Sequence, residues 1–137
     1  RHWDLQLGSE WSCLMTVYVK ENTEDMAEAL SYMETAMIED YDHFMDKDNE
    51  IHNKMRLEFA TGIEVSYGSK YIKIVTGKHG GNRSVWGFIV NTDKDKKFKK
   101  GDLLKAAGWA APARNAARGN ILKGGYVINW TGPLYLK

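Results

Sequence analysis

The spacing of apolar positions changes along the chain and predicts its elements. Trp11–Lys20 (WSCLMTVYVK) is rich in β-branched and aromatic residues and is bounded by Gly8-Ser9 and Glu21-Asn22, which predicts a strand. Apolar residues then recur at Met26, Leu30, Met33, Met37, Tyr41 and Phe44, the three- and four-residue spacing of one helix face. Asn22 or Thr23 is the expected N-cap, and Glu24, Asp25 and Glu28 suit the positive end of the helix dipole. The opposite face carries Glu34, Glu39, Asp40, Asp42 and Asp46 and is expected to be solvated. Ile51, Met55 and Phe59 predict a second helix that ends before Gly62.

From Ile63 the period becomes two. Ile63, Val65 and Tyr67 alternate with Glu64 and Ser66, Gly68-Ser69 supplies a tight turn, and Lys70–Val75 (KYIKIV) returns as the second strand of a hairpin. Gly77–Ser84 is a glycine-rich connection and Val85–Val90 the next strand, where alternation puts Trp86 and Phe88 on one face. A lysine-laden loop, Asn91–Lys100, leads to Gly101-Asp102. Leu103–Ala107 is expected as a strand, because Gly108 and Pro112 leave too little room for a useful helix. Pro112 suits the first position of a short helix, Ala113–Arg118, closed by Gly119-Asn120, and Tyr126–Trp130 is the last strand. These elements predict an α+β fold: an antiparallel sheet of about four to six strands with an acidic N-terminal helical layer on one face.

A length of 137 residues with 43% apolar content suits one domain, 1–137, with a real core. The net charge of +1 conceals a division that matters more. Residues 1–60, the acidic strand-helix region, hold 5 Lys and Arg against 14 Asp and Glu, whereas residues 61–137, the basic β-rich region, hold 14 against 4. Such asymmetry points to a polyanion on the basic side. It also raises the expectation that the acidic helix lies over the basic surface in the free protein. No apolar run is long enough to span a bilayer and the N-terminus lacks an apolar signal segment, so a soluble, intracellular chain without a membrane partner is expected. With Arg1 in place of an initiating methionine, a trimmed or excised chain is expected. The single Cys13 excludes an intramolecular disulfide and a cysteine-rich zinc site, and is expected as a buried hydrophobe.

Charge and aromatic character converge on Phe98–Asn120, where Lys99, Lys100, Lys105, Arg114 and Arg118 surround Trp109 among small residues. On the short helix, Arg114 and Arg118 would project together with Asn115 nearby, as a phosphate clamp. The alternative is that the arginines are solvated or paired with Asp102. Tyr71 stands between Lys70 and Lys73, Trp86 follows Arg83, and Trp109 lies between Lys105 and Arg114. Stacking platforms flanked by cations suit single-stranded nucleic acid, and Trp109 is the one expected to be exposed. The candidate nucleic-acid-binding residues are therefore Lys70, Lys73, Arg83, Lys99, Lys100, Lys105, Trp109, Arg114, Asn115 and Arg118.

Other chemistry finds little support. GKHGGNRS lacks the spacing of a phosphate-binding loop and precedes a strand. Asp46-x-Asp48-x-Glu50 begins like a calcium loop, but Ile51 stands where the turn glycine belongs. Asp40, His43 and Asp46 share one helix face, for which solvation is expected rather than a metal. His79, Glu64 and Asp102 are the remaining acid–base groups, and nothing brings them together. No catalytic residue, metal or cofactor is assigned.

KYIKIV (Lys70–Val75), SVWGFIV (Ser84–Val90) and GDLLKAAGWAAPARNAARGN (Gly101–Asn120) resemble a small uncharacterised domain that recurs in predicted proteins of tailed bacteriophages. The likeness covers roughly Ile63–Trp130 and implies a phage origin, with no established activity attached. The first functional expectation is a phage-encoded, non-enzymatic protein that binds DNA or RNA, single-stranded by preference, in the host cytoplasm or the virion. The alternative is a protein-interaction or virion structural module that binds or inhibits a host or phage protein. A small host-directed enzyme is the third.

Overall fold

The computed structural model describes residues 17–43, 45 and 48–133. The first strand is seen as β1, Val17–Val19; its expected upstream part, with Cys13, lies outside the described residues, as do Phe44 and Asp46. Two helices follow, α1 (Met26–His43) and α2 (Glu50–Gly62). Leu30, Met33 and Met37 form the buried stripe of α1, as its periodicity predicts, each worth about 1.5–3 kcal/mol of burial. Its cap is Asp25 rather than Asn22 or Thr23. Asp25 Oδ1 accepts from the Ala27 N–H at 3.0 Å and the Asp25 carbonyl accepts the first helical bond from Ala29 at 2.9 Å. Asn49 caps α2, its side chain accepting from the Ile51 and His52 N–H groups.

Among the described residues seven strands make two antiparallel sheets. β2 (Glu64–Tyr67), β3 (Tyr71–Gly77), β4 (Arg83–Val90) and β5 (Leu103–Leu104) lie in that order in one; β1 pairs with β6 (Tyr126–Asn129), and β6 with β7 (Gly132–Pro133), in the other. The class is α+β, as expected. Trp86 joins the sheets by donating its indole N–H to the Asn129 carbonyl at 3.0 Å.

Trp86 and Phe88 lie on opposite faces, against the expectation from alternation. Ile74 pairs with Gly87 but Val75 pairs with Val85, so Trp86 is the extra residue of a β-bulge and the strand changes phase there. One face of the four-stranded sheet presents Ile72, Ile74, Trp86, Ile89 and Leu103 to the core shared with α1, α2 and β6. The other presents Phe88, Val90 and Leu104, which pack with Phe98. Tyr41 of α1 stacks on Phe59 of α2 with ring centroids 4.2 Å apart, and Trp130 meets both edge-on.

Two further expectations are corrected. Residues 113–118 form no helix. Ala113 and Arg118 donate their N–H groups to the carbonyls of Lys105 and Leu103 at 2.7 Å, and Leu103 donates to Gly119 at 2.8 Å. The segment thereby closes the otherwise open edge of β5, and long-range pairing overrides the local helical preference of its alanines. Asp40 does not belong to a solvated face: it is buried and accepts from the Trp130 N–H at 2.8 Å, fastening α1 to the end of β6.

The helices pack on the first face of the four-stranded sheet, whereas Tyr71, Phe98 and the Lys105–Arg118 segment cover the second. The two helices therefore lie on the opposite face of this sheet from the Lys105–Arg118 segment and do not cover it.

Candidate nucleic-acid interface

The candidate surface is built around the Asp95 carboxylate, whose side chain is buried. Asp95 Oδ1 accepts from the N–H groups of Lys97 and Phe98 at 2.8 and 2.9 Å, an Asx-type turn that aims Phe98 into the second core. Arg114 meets the same carboxylate with both terminal nitrogens, at 2.9 and 3.0 Å, and also donates to the Tyr71 hydroxyl. Its guanidinium carbon lies 4.9 Å from the Phe98 ring centroid, and Lys97 Nζ donates to the Arg114 carbonyl at 2.7 Å. The Asp95 side chain is 2% exposed. Its Arg114 partner, helped by the two backbone N–H groups, holds the carboxyl well below the usual carboxylate range. Asp95 in turn pushes the Arg114 pKa up.

Cations fan out from this knot. Ser69, Lys70, Thr92, Lys94, Lys96 and Arg114, together with Asp95, line a cleft of about 660 Å³. Across the 91–100 loop a second cleft, of about 410 Å³, is lined by Lys99, Lys100, Asn120 and Lys123 together with Asp93 and Asp95. At the tip of the following hairpin the N–H groups of Ala107 and Gly108 both point to the Ala111 carbonyl, and Trp109 stands 57% exposed. The Lys73 ammonium, from the middle of β3, lies 4.0 Å from the Trp109 ring centroid. Lys73 and Tyr71 share a strand face two residues apart, about 7 Å, so platform and knot are neighbours.

A family profile matches residues 15–136, nearly the whole chain. The chain belongs to DUF7717, a family of unknown function. Comparison with curated proteins and with solved structures returns no match.

In this DUF7717 chain the expected site residues separate into groups. Lys70, Lys73 and Trp109 share one surface with Arg114, and Lys99 and Lys100 line the neighbouring cleft. Lys105 is half-buried beside β5. Arg114 pairs with Asp95, neither projecting as a clamp beside Arg118 nor pairing with Asp102. Asn115 and Arg118 turn to their own segment, Arg118 donating to the Ala116 carbonyl at 3.3 Å and lying 3.5 Å from Asn115 Oδ1. Arg83 is elsewhere. It opens β4 opposite Gly77, about 20 Å along the hairpin from Tyr71, and its guanidinium binds the Gly62 and Gly77 carbonyls and Glu64.

Lys94, Lys96 and Lys123 join the surface without having stood out in the sequence. The alternation Asp93-Lys94-Asp95-Lys96 carries the signal, but which acid turns inward depends on Arg114, 19 residues away. The acid–base candidates stay apart: His79 meets the Thr61 carbonyl, Glu64 meets Arg83, and Asp102 meets Asn120. Among the described residues no three His, Cys, Asp or Glu side chains are grouped to hold a metal ion, and no helix is long and apolar enough to cross a membrane.

Proposed function

We propose that the chain binds nucleic acid, single-stranded by preference, through the surface formed by Lys70, Lys73, Trp109 and the lysines of the 91–100 loop. The observation that carries this reading is Trp109: an indole at a hairpin tip, exposed, with the Lys73 ammonium against its ring and a basic cleft beyond the neighbouring Tyr71. A base stacked on such a ring gains about 1–3 kcal/mol whatever its identity, and the lysines serve the phosphates. The acidic helices lie behind the sheet, where they repel the ligand least. Tailed-phage origin, and with it work in the host cytoplasm or the virion, belongs to the same proposal and rests on the residue resemblance over Ile63–Trp130.

Anisotropy titration of labelled single- and double-stranded oligonucleotides at low and moderate salt tests the reading. Micromolar or tighter binding that weakens with salt, and is tighter for single strands, is expected. A folded sample that binds neither at low salt overturns it. One observation favours a second reading as a protein-interaction module: Ile51 and Leu57 stand 70% and 65% exposed on α2. Sedimentation without nucleic acid, showing concentration-dependent assembly, would support that module.

A further inference from the structure

We propose that the cleft between Lys70 and the 91–98 loop is a preorganised site for phosphoryl oxygens, supplied by a phosphodiester backbone, and that Arg114 is a positioning residue that does not itself touch the ligand. The proposal rests on the nucleic-acid reading above and adds which groups take the backbone.

Four features of the cleft fit it to an anion. Its lysines 70, 94 and 96 come from two separate segments, so the charge is converged by the fold and not by a run in sequence. The acids of the loop are accounted for: Asp95 reaches the cleft wall, but its carboxylate is engaged by Arg114 and two backbone N–H groups, and Asp93 lines the other cleft. Hydroxyls are present, since Ser69 and Thr92 line the wall; Thr92 Oγ1 accepts from the Lys94 N–H at 3.1 Å, which leaves its proton to donate. The loop is already held at both ends, at Asn91, whose backbone and side-chain N–H groups donate to the Lys70 and Gly68 carbonyls, and at Asp95–Phe98 by the Arg114–Tyr71 bonds and the buried Phe98 ring. A ligand meeting this site need not order the loop, and preorganisation of that kind raises affinity.

The role of Arg114 follows from its occupancy. Its two terminal nitrogens are engaged by Asp95 and Tyr71, and its charge is largely met by the carboxylate. Only a planar fork makes both Asp95 bonds at once, and lysine cannot replace it. Because Tyr71 and Lys73 are successive residues on one strand face, a chain stacked on Trp109 has its adjoining backbone carried past Tyr71 into the cleft.

The test uses two labelled probes of equal length, a single-stranded oligothymidylate and its abasic deoxyribose-phosphate counterpart, titrated against the whole chain over a range of salt. Lys94→Ala/Lys96→Ala should lower the slope of log affinity against log salt by about 1.4 for both probes, about 0.7 for each single-strand phosphate that is no longer neutralised. Trp109→Ala should weaken the oligothymidylate alone. Arg114→Lys, which keeps the charge, should still weaken both probes and shift the Lys97 and Phe98 amide resonances of the free protein. An unchanged slope in the lysine variant, with wild-type protein binding normally, overturns the cleft and leaves the nucleic-acid reading standing. Unchanged affinity in Arg114→Lys overturns the positioning role. If wild type binds neither probe, inorganic pyrophosphate decides: shifts confined to amides 92–98 keep the anion site and overturn the nucleic-acid reading, and no shifts overturn both.

Discussion

Lys73 and Trp109 come from elements more than thirty residues apart, yet the ammonium lies 4.0 Å from the indole centroid. An exposed tryptophan at a hairpin tip would otherwise sample several rotamers. The cation holds the ring over β3 and places a charge beside whatever stacks on it.

Trp109→Ala should therefore weaken single-strand binding by about 1–3 kcal/mol, roughly 5- to 150-fold, with little loss of stability, because the side chain is mostly solvent-exposed. Trp109→Phe should recover part of the affinity. Anisotropy titrations paired with thermal melts measure both, and a variant that melts normally and binds like wild type would remove Trp109 from the interface.

Arg83 carries the opposite expectation. Its neighbours in sequence group it with the cations proposed to bind phosphate, but its guanidinium holds the end of α2 to the β3–β4 hairpin through the Gly62 and Gly77 carbonyls and Glu64, with the side chain only 16% exposed. Arg83→Ala leaves two carbonyls without their charged donor and should cost about 2–3 kcal/mol. At a temperature where the variant is folded its nucleic-acid affinity should match wild type. Weak binding from a fully folded, equally stable variant would return Arg83 to the site.

What is legible in the sequence and what is not follows from where each interaction is made. The Met26–Met37 stripe and the KYIKIV alternation are local patterns, and the helix and strand they predict are present. Residues 113–118 read locally as a helix, but their backbone partners are Leu103 and Lys105, set by a β5 edge that a window of sequence cannot contain. The bulge at Trp86 reverses an alternation that is otherwise regular. Asp40 reads as one acid among several; its burial against the distant Trp130 amide sets it apart. The site divides the same way. Exposure of Trp109 can be read from the small residues around it, whereas the inward turn of Asp95 and the diversion of Arg114 arise from an ion pair across 19 residues.

That ion pair has a pH signature. The Asp95 carboxyl is held below its ordinary value, chiefly by Arg114, so the unfolded chain takes up its proton more readily than the folded one. Its stabilising contribution is complete above the unfolded value near 3.9 and is lost as pH falls from there through the lower folded value. Asp95→Asn lacks this contribution at every pH. The gap in Tm between wild type and Asp95→Asn should be constant from about pH 5 to 7 and should narrow below about pH 4. Comparing the two proteins cancels the other carboxylates. A gap that widens in acid would mean that Asp95 is not the paired, depressed carboxylate described.

Two glycines separate backbone necessity from mere composition. Gly124 has φ +74°, and a Cβ there would stand 2.2 Å from the Glu21 carbonyl oxygen and 2.6 Å from that of Lys20. The same turn docks the end of β1, since Gly125 donates to Val19 at 2.7 Å and Thr23 donates to Leu122 at 2.9 Å. Gly124→Ala combines a left-handed backbone with a clash against main chain, and should cost about 3 kcal/mol or more. Gly108, beside Trp109, has nothing within 4 Å of the added carbon and no positive φ. Gly108→Ala should therefore be neutral or stabilise by up to about 1 kcal/mol by restricting the unfolded chain. Chemical denaturation measures both, and the second variant has a further use. If Trp109 acts from a settled hairpin, Gly108→Ala binds oligonucleotide at least as well as wild type; if stacking needs the tip to swing on Gly108, affinity falls while stability does not.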